Sequence, residues 1–120
     1  MGLIILSWMI TLTGISQDKK DTKKINYTSF TVITKQHKVE LEWATDNSVP
    51  TNYFEVQKSW DGKNYKTIAL VLGPDPKKTG CDCYDWSDTQ MQKKITYYRL
   101  KHIDANGSAQ LSEPKLSAGS

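Results

Sequence analysis

The stretch ITYYRLKHIDANGSAQ, residues 95–110, decides the fold. In an extended chain successive side chains point to opposite faces, so Tyr98, Leu100 and His102 share one face and Tyr97, Arg99 and Lys101 the other. Asn106-Gly107 follows as a hairpin turn signal of type I′, whose central residues need the positive φ that Gly and Asn tolerate. Two phenols and a guanidinium in a row resemble a reactive site. Strand parity instead makes them the two faces of a sheet.

The same period spreads outward from that stretch. Val39-Glu40-Leu41-Glu42-Trp43 alternates apolar and charged residues, and Phe54-Glu55-Val56-Gln57 repeats the pattern. Residues 65–72, YKTIALVL, form a longer apolar strand whose alternation fails near Thr67, where an irregularity is expected. Tyr84 and Trp86 share a face of a short strand with Asp85 opposite, and weaker strands are expected at 29–34 and 108–112. Asp61-Gly62 is a second hairpin signal, and Gly73-Pro74-Asp75-Pro76 is a breaker between strands. The pattern is that of an all-β chain of seven short strands with turn signals about every 8–12 residues, the signature of an antiparallel β-sandwich.

Bulk properties agree with one domain. The chain has 120 residues, a net charge of +3 from 16 Lys and Arg against 13 Asp and Glu, and a mean hydropathy of −0.58. The basic residues are spread out, and KKDTKK at 19–24 reads as a solvated linker, so no nucleic-acid partner is expected. Residues 3–13, LIILSWMITLT, are apolar but too short to span a bilayer as a helix. With small residues at Gly14 and Ser16, ahead of a cleavage after Ser16, they read as a secretory signal peptide, although the segment ahead of them carries no Lys or Arg. The expected organisation is a signal peptide at 1–16, a flexible lead-in at 17–28, a β-sandwich at 29–113 and a short tail at 114–120. That organisation makes the protein secreted, periplasmic or surface-held, with no stable membrane insertion after cleavage.

Taken in order, VELEWAT, YFEVQKSWDGKNY, YDWSD and TYYRLKHIDANG resemble the fibronectin type III-like modules of secreted bacterial proteins. The likeness is greatest to the module beside the C-terminal sorting domain in cargo of the type IX secretion system, and it covers about residues 29–113. It implies an immunoglobulin-like seven-stranded sandwich with Trp43 packed between the sheets, and no catalytic residues or cofactor. It also implies that Tyr98 near the start of the sixth strand is a tyrosine corner, its hydroxyl bonded back to the backbone, with Leu100 inside. About thirteen residues follow Gly107, so a free-standing module or a piece of a longer protein is expected, without an appended sorting domain. The Cys81-Asp82-Cys83 segment is no feature of those relatives.

Candidate chemistry is sparse. Trp60, beside the Asp61-Gly62 turn, is expected at the surface, where it could anchor a protein partner or stack on a surface glycan. Tyr53, and Tyr65 with it, could extend that patch. Cys81 and Cys83 could be a disulfide, free thiols, or two thiolates on a soft metal with His37 or His102 as a third ligand. Asp82, Asp85 and Asp88 raise a calcium reading, but their spacing matches no known loop, and Asp88 is expected to cap a turn. Arg99 is expected to lie over an aromatic ring on the face it shares with Tyr97. Asn26-Tyr27-Thr28 and Asn106-Gly107-Ser108 fit the N-glycosylation pattern. Trp43, Trp86, Tyr98, Leu100, Gly62 and Gly107 are expected to be structural. No nucleophile elbow, phosphate loop or dinucleotide fingerprint is present, so no enzyme is expected.

Overall fold

In a computed structural model, residues 23–89 and 94–117 are described, and among them every regular element is a β-strand. The strands are β1 (Tyr27–Lys35), β2 (Lys38–Thr45), β3 (Thr51–Ser59), β4 (Lys66–Val71), β5 (Asp82–Thr89), β6 (Tyr97–Asp104), β7 (Ala109–Leu111) and β8 (Lys115–Leu116). One sheet has the order β1-β2-β5; the other has the order β4-β3-β6-β7, with β8 also paired to β6. All pairings are antiparallel.

The apolar face of each alternating strand meets the other sheet. Val39, Leu41 and Trp43 of β2, Phe54 and Val56 of β3, Tyr84 of β5 and Tyr98 and Leu100 of β6 form one buried cluster with Phe30. Trp43 stacks on Tyr84 at 5.8 Å between ring centroids, and Phe54 of the facing sheet meets Tyr84 edge-on at 4.7 Å. Trp86 packs half-buried against the same cluster. Truncating a ring in such a core costs about 3–5 kcal/mol. The irregularity expected near Thr67 is present: the register steps from Val56↔Ala69 to Gln57↔Thr67, leaving Ile68 as the extra residue.

Other expectations need correcting. Among the described residues there are eight strands where seven were expected, because after Pro114 the chain pairs again, Leu116 with Tyr97 and Lys115 with Tyr98. The supposed tail at 114–120 is therefore built into the sheet as far as Ser117, which exchanges two hydrogen bonds with Thr96. Of the supposed flexible lead-in at 17–28, the described residues 23–28 are likewise held. Gln110 on β7 accepts the Ile25 N–H at 3.1 Å and donates to the Lys23 carbonyl at 2.7 Å, and β1 itself begins at Tyr27. The signal segment at 1–16 lies outside the described residues.

Neither hairpin signal makes a type I′ turn, since only the glycine of each pair has positive φ. Asn106-Gly107 sits in a turn closed by the Gly107 N–H on the Asp104 carbonyl, with the glycine in the left-handed position. Asp61-Gly62 sits in a loop of six residues, 60–65, between β3 and β4.

Tyr98 is fully buried, as the corner reading requires, and among the described residues its hydroxyl donates to the Asp88 carboxylate at 2.6 Å. Lys58 donates to the same oxygen at 3.0 Å. This is where Asp88 points, inward between the sheets, and it serves as a clamp among β3, β5 and β6; the turn it was expected to cap lies outside the described residues.

Candidate binding surface at the β3–β4 loop

The loop after β3 owes its shape to two short polar side chains. The Ser59 hydroxyl accepts the Gly62 N–H at 2.9 Å and donates to Asp61 Oδ1 at 2.8 Å. Asp61 Oδ1 also accepts the backbone N–H groups of Lys63 and Asn64, each at 2.8 Å, while Oδ2 accepts from the Asn64 amide at 2.8 Å. The Asn64 and Lys63 N–H groups hold the Asp61 carboxyl well below the usual carboxylate range, because they bond to its charged form. Gly62, at φ 76°, lies against the Tyr97 ring; a Cβ there would be 3.1–3.4 Å from three ring carbons.

That rigid turn presents Trp60, 59% exposed, with Lys94 Nζ 4.8 Å from the ring centroid. Beside it, the Arg99 guanidinium lies 3.8 Å from the centre of the Tyr65 ring. Arg99 is fixed by donating Nε–H to Gln57 Oε1 at 2.8 Å, and Gln57 donates onward to Thr67 and Glu55. Between the two aromatics is a shallow hollow of about 240 Å³, lined by Lys58, Ser59, Trp60, Asn64, Tyr65 and Lys66. It is smaller than the usual enclosed small-molecule pocket of roughly 300–1,000 Å³. An exposed aromatic plane, a guanidinium-backed phenol and several cations suit one sugar ring or one partner side chain. A second hollow, of about 720 Å³, opens at the β1–β2 turn among Lys35, Gln36, His37, Lys38, Glu40 and Thr89; it has no Trp, Tyr or Phe in its wall, and both lysines pair with Glu40.

The structure brings Trp60 together with Tyr65 and leaves Tyr53 out. Tyr53 pairs with Ile103 near the start of β3, roughly 20 Å along the strand from Trp60. Arg99 does stack on a ring, but on Tyr65, because Tyr97 is taken by Gly62. Lys94, Asn64 and Lys66 were not singled out from the sequence; they lie in loop or at a strand end, where strand parity gives no information.

The other candidates separate. Cys81 and Cys83 are joined in a disulfide with Cα atoms 5.4 Å apart, so their sulfurs are not thiolates for a metal. Asp88 faces inward, whereas Asp85 lies on the outer face opposite Glu42, so the aspartates do not converge. Burial, then a hydrogen bond donated to the Asp75 carboxylate, pushes the Asp85 carboxyl up; the Lys77 N–H, then Asp85, pulls Asp75 down. His102 is buried, its Nε2 2.9 Å from the Thr51 hydroxyl, and burial lowers its pKa although Asp104 opposes this. The Asn26 amide, in the first glycosylation pattern, donates to Asp46 at 2.8 Å. No helix among the described residues is long and apolar enough to cross a membrane.

No protein-family model matches the sequence, and no curated protein does. Solved structures do match. A pectate lyase from Pectobacterium carotovorum is similar at TM-score 0.63 and 17% identity, over 78% of this chain and 27% of the lyase. A β-1,2-glucanase from Parabacteroides distasonis matches at TM-score 0.56 and 14% identity, over 82% of this chain and 13% of the glucanase. A structure described as a myokine matches at 0.54 and 16%, over 78% of this chain and 95% of that one. The chain thus spans about a quarter and an eighth of the two enzymes, and at such identities the likeness is one of fold: an all-β, antiparallel sandwich.

Proposed function

We propose that this chain is a non-catalytic, fibronectin type III-like interaction module of an exported protein, and that it binds through the Trp60–Tyr65 surface. The observation that carries the reading is Trp60 itself: a large aromatic, mostly exposed, on a loop stiffened by the Asp61 bonds beneath it. A rigid exposed Trp gives contact area with little entropy lost on binding. Support for the fold-family reading comes from the order β1-β2-β5 facing β4-β3-β6-β7 and from Trp43 in the core, as in immunoglobulin-like sandwiches. The oxidised cysteine pair supports export, because disulfides persist outside the reducing cytosol. The likeness to modules of type IX cargo supports a bacterial surface or secreted setting.

A second reading, glycan binding at the same surface, is favoured by the neighbours. Two of them are much longer chains, named for pectate and for a β-1,2-glucan. A glycan array with the wild-type chain and with Trp60→Ala tests it: a sugar signal lost in the variant establishes glycan binding. If no glycan binds, cross-linking from position 60 against surface proteins of the source cell is expected to give a discrete adduct. Absence of both removes the Trp60 surface as a site and leaves a spacer. Fractionation with N-terminal sequencing tests export, with cleavage expected after Ser16.

A further inference from the structure

Cys81 and Cys83 are the only cysteines of the chain, and their disulfide spans a single residue. A cross-link stabilises a fold chiefly by closing a loop in the unfolded chain, and this loop is nearly the smallest possible. The region is held without it: Asp82 pairs with Thr45, Cys83 pairs with Ala44, and the Cys83 carbonyl accepts the Asp75 N–H at 2.7 Å. The bond is also open to attack. Cys81 is exposed and Cys83 half-buried, and the preceding Gly80 has no neighbour within 4 Å of where a Cβ would lie. A disulfide that ties nothing together and is exposed belongs with the exchangeable kind, whereas structural ones are buried and join distant elements.

The surroundings select the partner. Asp82 lies between the two sulfurs in sequence, Asp85 lies two residues beyond, Asp75 is bonded to the Cys83 carbonyl, and Glu42 is opposite Asp85. Two nearby cations, Lys77 and Lys78, oppose them, and Lys78 is drawn to Glu42 at 3.8 Å. The local excess is acidic, so a cationic thiol is attracted and an anionic one repelled.

We propose that Cys81–Cys83 is a stoichiometric thiol–disulfide exchange site whose partner is an exported dithiol on a basic protein segment. A partner thiolate attacks the exposed Cys81 sulfur, forming a mixed disulfide as the Cys81–Cys83 bond breaks, and the Cys83 thiolate leaves and takes up a proton. The partner's second thiolate then attacks its own sulfur in the mixed disulfide and releases the Cys81 thiolate, which is protonated in turn. Two electrons pass from the partner, now a disulfide, to the cysteine pair, now two thiols; the two protons lost by the partner balance those gained, and the Cys81–Cys83 bond is itself the oxidant. The site lies at the Asp82 end of β5, and Trp60 lies near the Asp88 end, where Lys58 reaches across, so the two sites are separate.

The test uses the purified oxidised chain with cysteamine, 2-mercaptoethanol and 2-mercaptoethanesulfonate. Opening is read by alkylation and intact mass, each rate normalised to that thiol's rate with a neutral open-chain disulfide. Cysteamine is expected to react at least about ten-fold faster than the sulfonate at low salt, with the gap closing at high salt. A basic peptide dithiol is expected to be oxidised, and the Cys81→Ser/Cys83→Ser double variant to melt within about 2 °C of wild type. Equal normalised rates, a disulfide that opens only on denaturation, or a double variant that does not fold would each overturn the proposal.

Discussion

At the end of the sandwich that carries Trp60, the loop 60–65 depends on Asp61; at the other end of β5, the loop before Cys81 depends on Asp75. Both aspartates collect backbone N–H groups, yet the settings differ. Every bond to Asp61 comes from within three residues, so the turn is complete in itself. Asp75 accepts the Lys77 N–H at 2.9 Å but also leans on the Asp85 carboxyl of β5 and, through its own N–H, on Cys83. One loop is held by bonds within its own local sequence, the other by contacts that reach from the loop to β5. The first is suited to presenting a fixed surface, the second to yielding.

The comparison can be broken hardest at the clamp between the sheets. Asp88→Asn leaves Lys58 mostly buried without its anion and weakens the Tyr98 bond, for an expected loss of about 3 kcal/mol in urea unfolding. Asp85→Asn, at the yielding end, is expected to fall at the bottom of the scale.

Two of the left-handed glycines, one in each loop, sharpen it next. Gly62 and Gly80 have similar φ, 76° and 81°, so alanine at either incurs a backbone cost of about 1 kcal/mol. Only Gly62 lies against a ring, so Gly62→Ala is expected to cost about 2 kcal/mol and Gly80→Ala about half that, by chemical denaturation. Equal losses would mean that the Tyr97 contact yields freely.

How far the sequence foretold this depends on how local each feature is. The inward set Tyr98, Leu100 and His102 and the bulge opposite Gln57 follow from alternation, because each strand must hide one face. The Gln110 bonds to Lys23 and Ile25 and the pairing of Leu116 with Tyr97 join residues that no period connects. At the site, Trp60 was legible from its turn, while its partner was not: Tyr53 and Tyr65 both fit an aromatic patch, and only the length of β3 separates them. The burial of Asp88 was hidden for the same reason, since nothing beside it in sequence reveals Lys58 and Tyr98 across the sheets.

Acid probes both ends through the core. Burial keeps His102 neutral, with Nδ1 unpartnered among the described residues, and lowers its pKa from 6.5. The unfolded chain therefore takes up that proton at higher pH than the folded one, so the stability due to His102 is present above about pH 6.5 and is lost as pH falls below it. Melting temperature is expected to drop on acidification from about pH 7 to 5.5, and His102→Gln to flatten the slope.

The smallest effect belongs to Asp85. Its raised pKa means its contribution is present below the ordinary carboxylate range and lost as pH rises through the folded value. Asp85→Asn keeps a hydrogen to share at neutral pH. It is expected to slow exchange of the Asp75 N–H and to raise stability by no more than about 0.5 kcal/mol, since the group is largely exposed.

The anchored ends carry a mechanical consequence. The described residues begin where Gln110 grips Lys23 and Ile25, beside His102 of β6, and end where Ser117 is locked to Thr96, just ahead of the same strand. The two anchors are thus separated by most of the length of β6. Tension applied to the two ends runs lengthwise, and β8, laid antiparallel on Tyr97 and Tyr98, meets it in shear, with its hydrogen bonds loaded together rather than unzipped one by one.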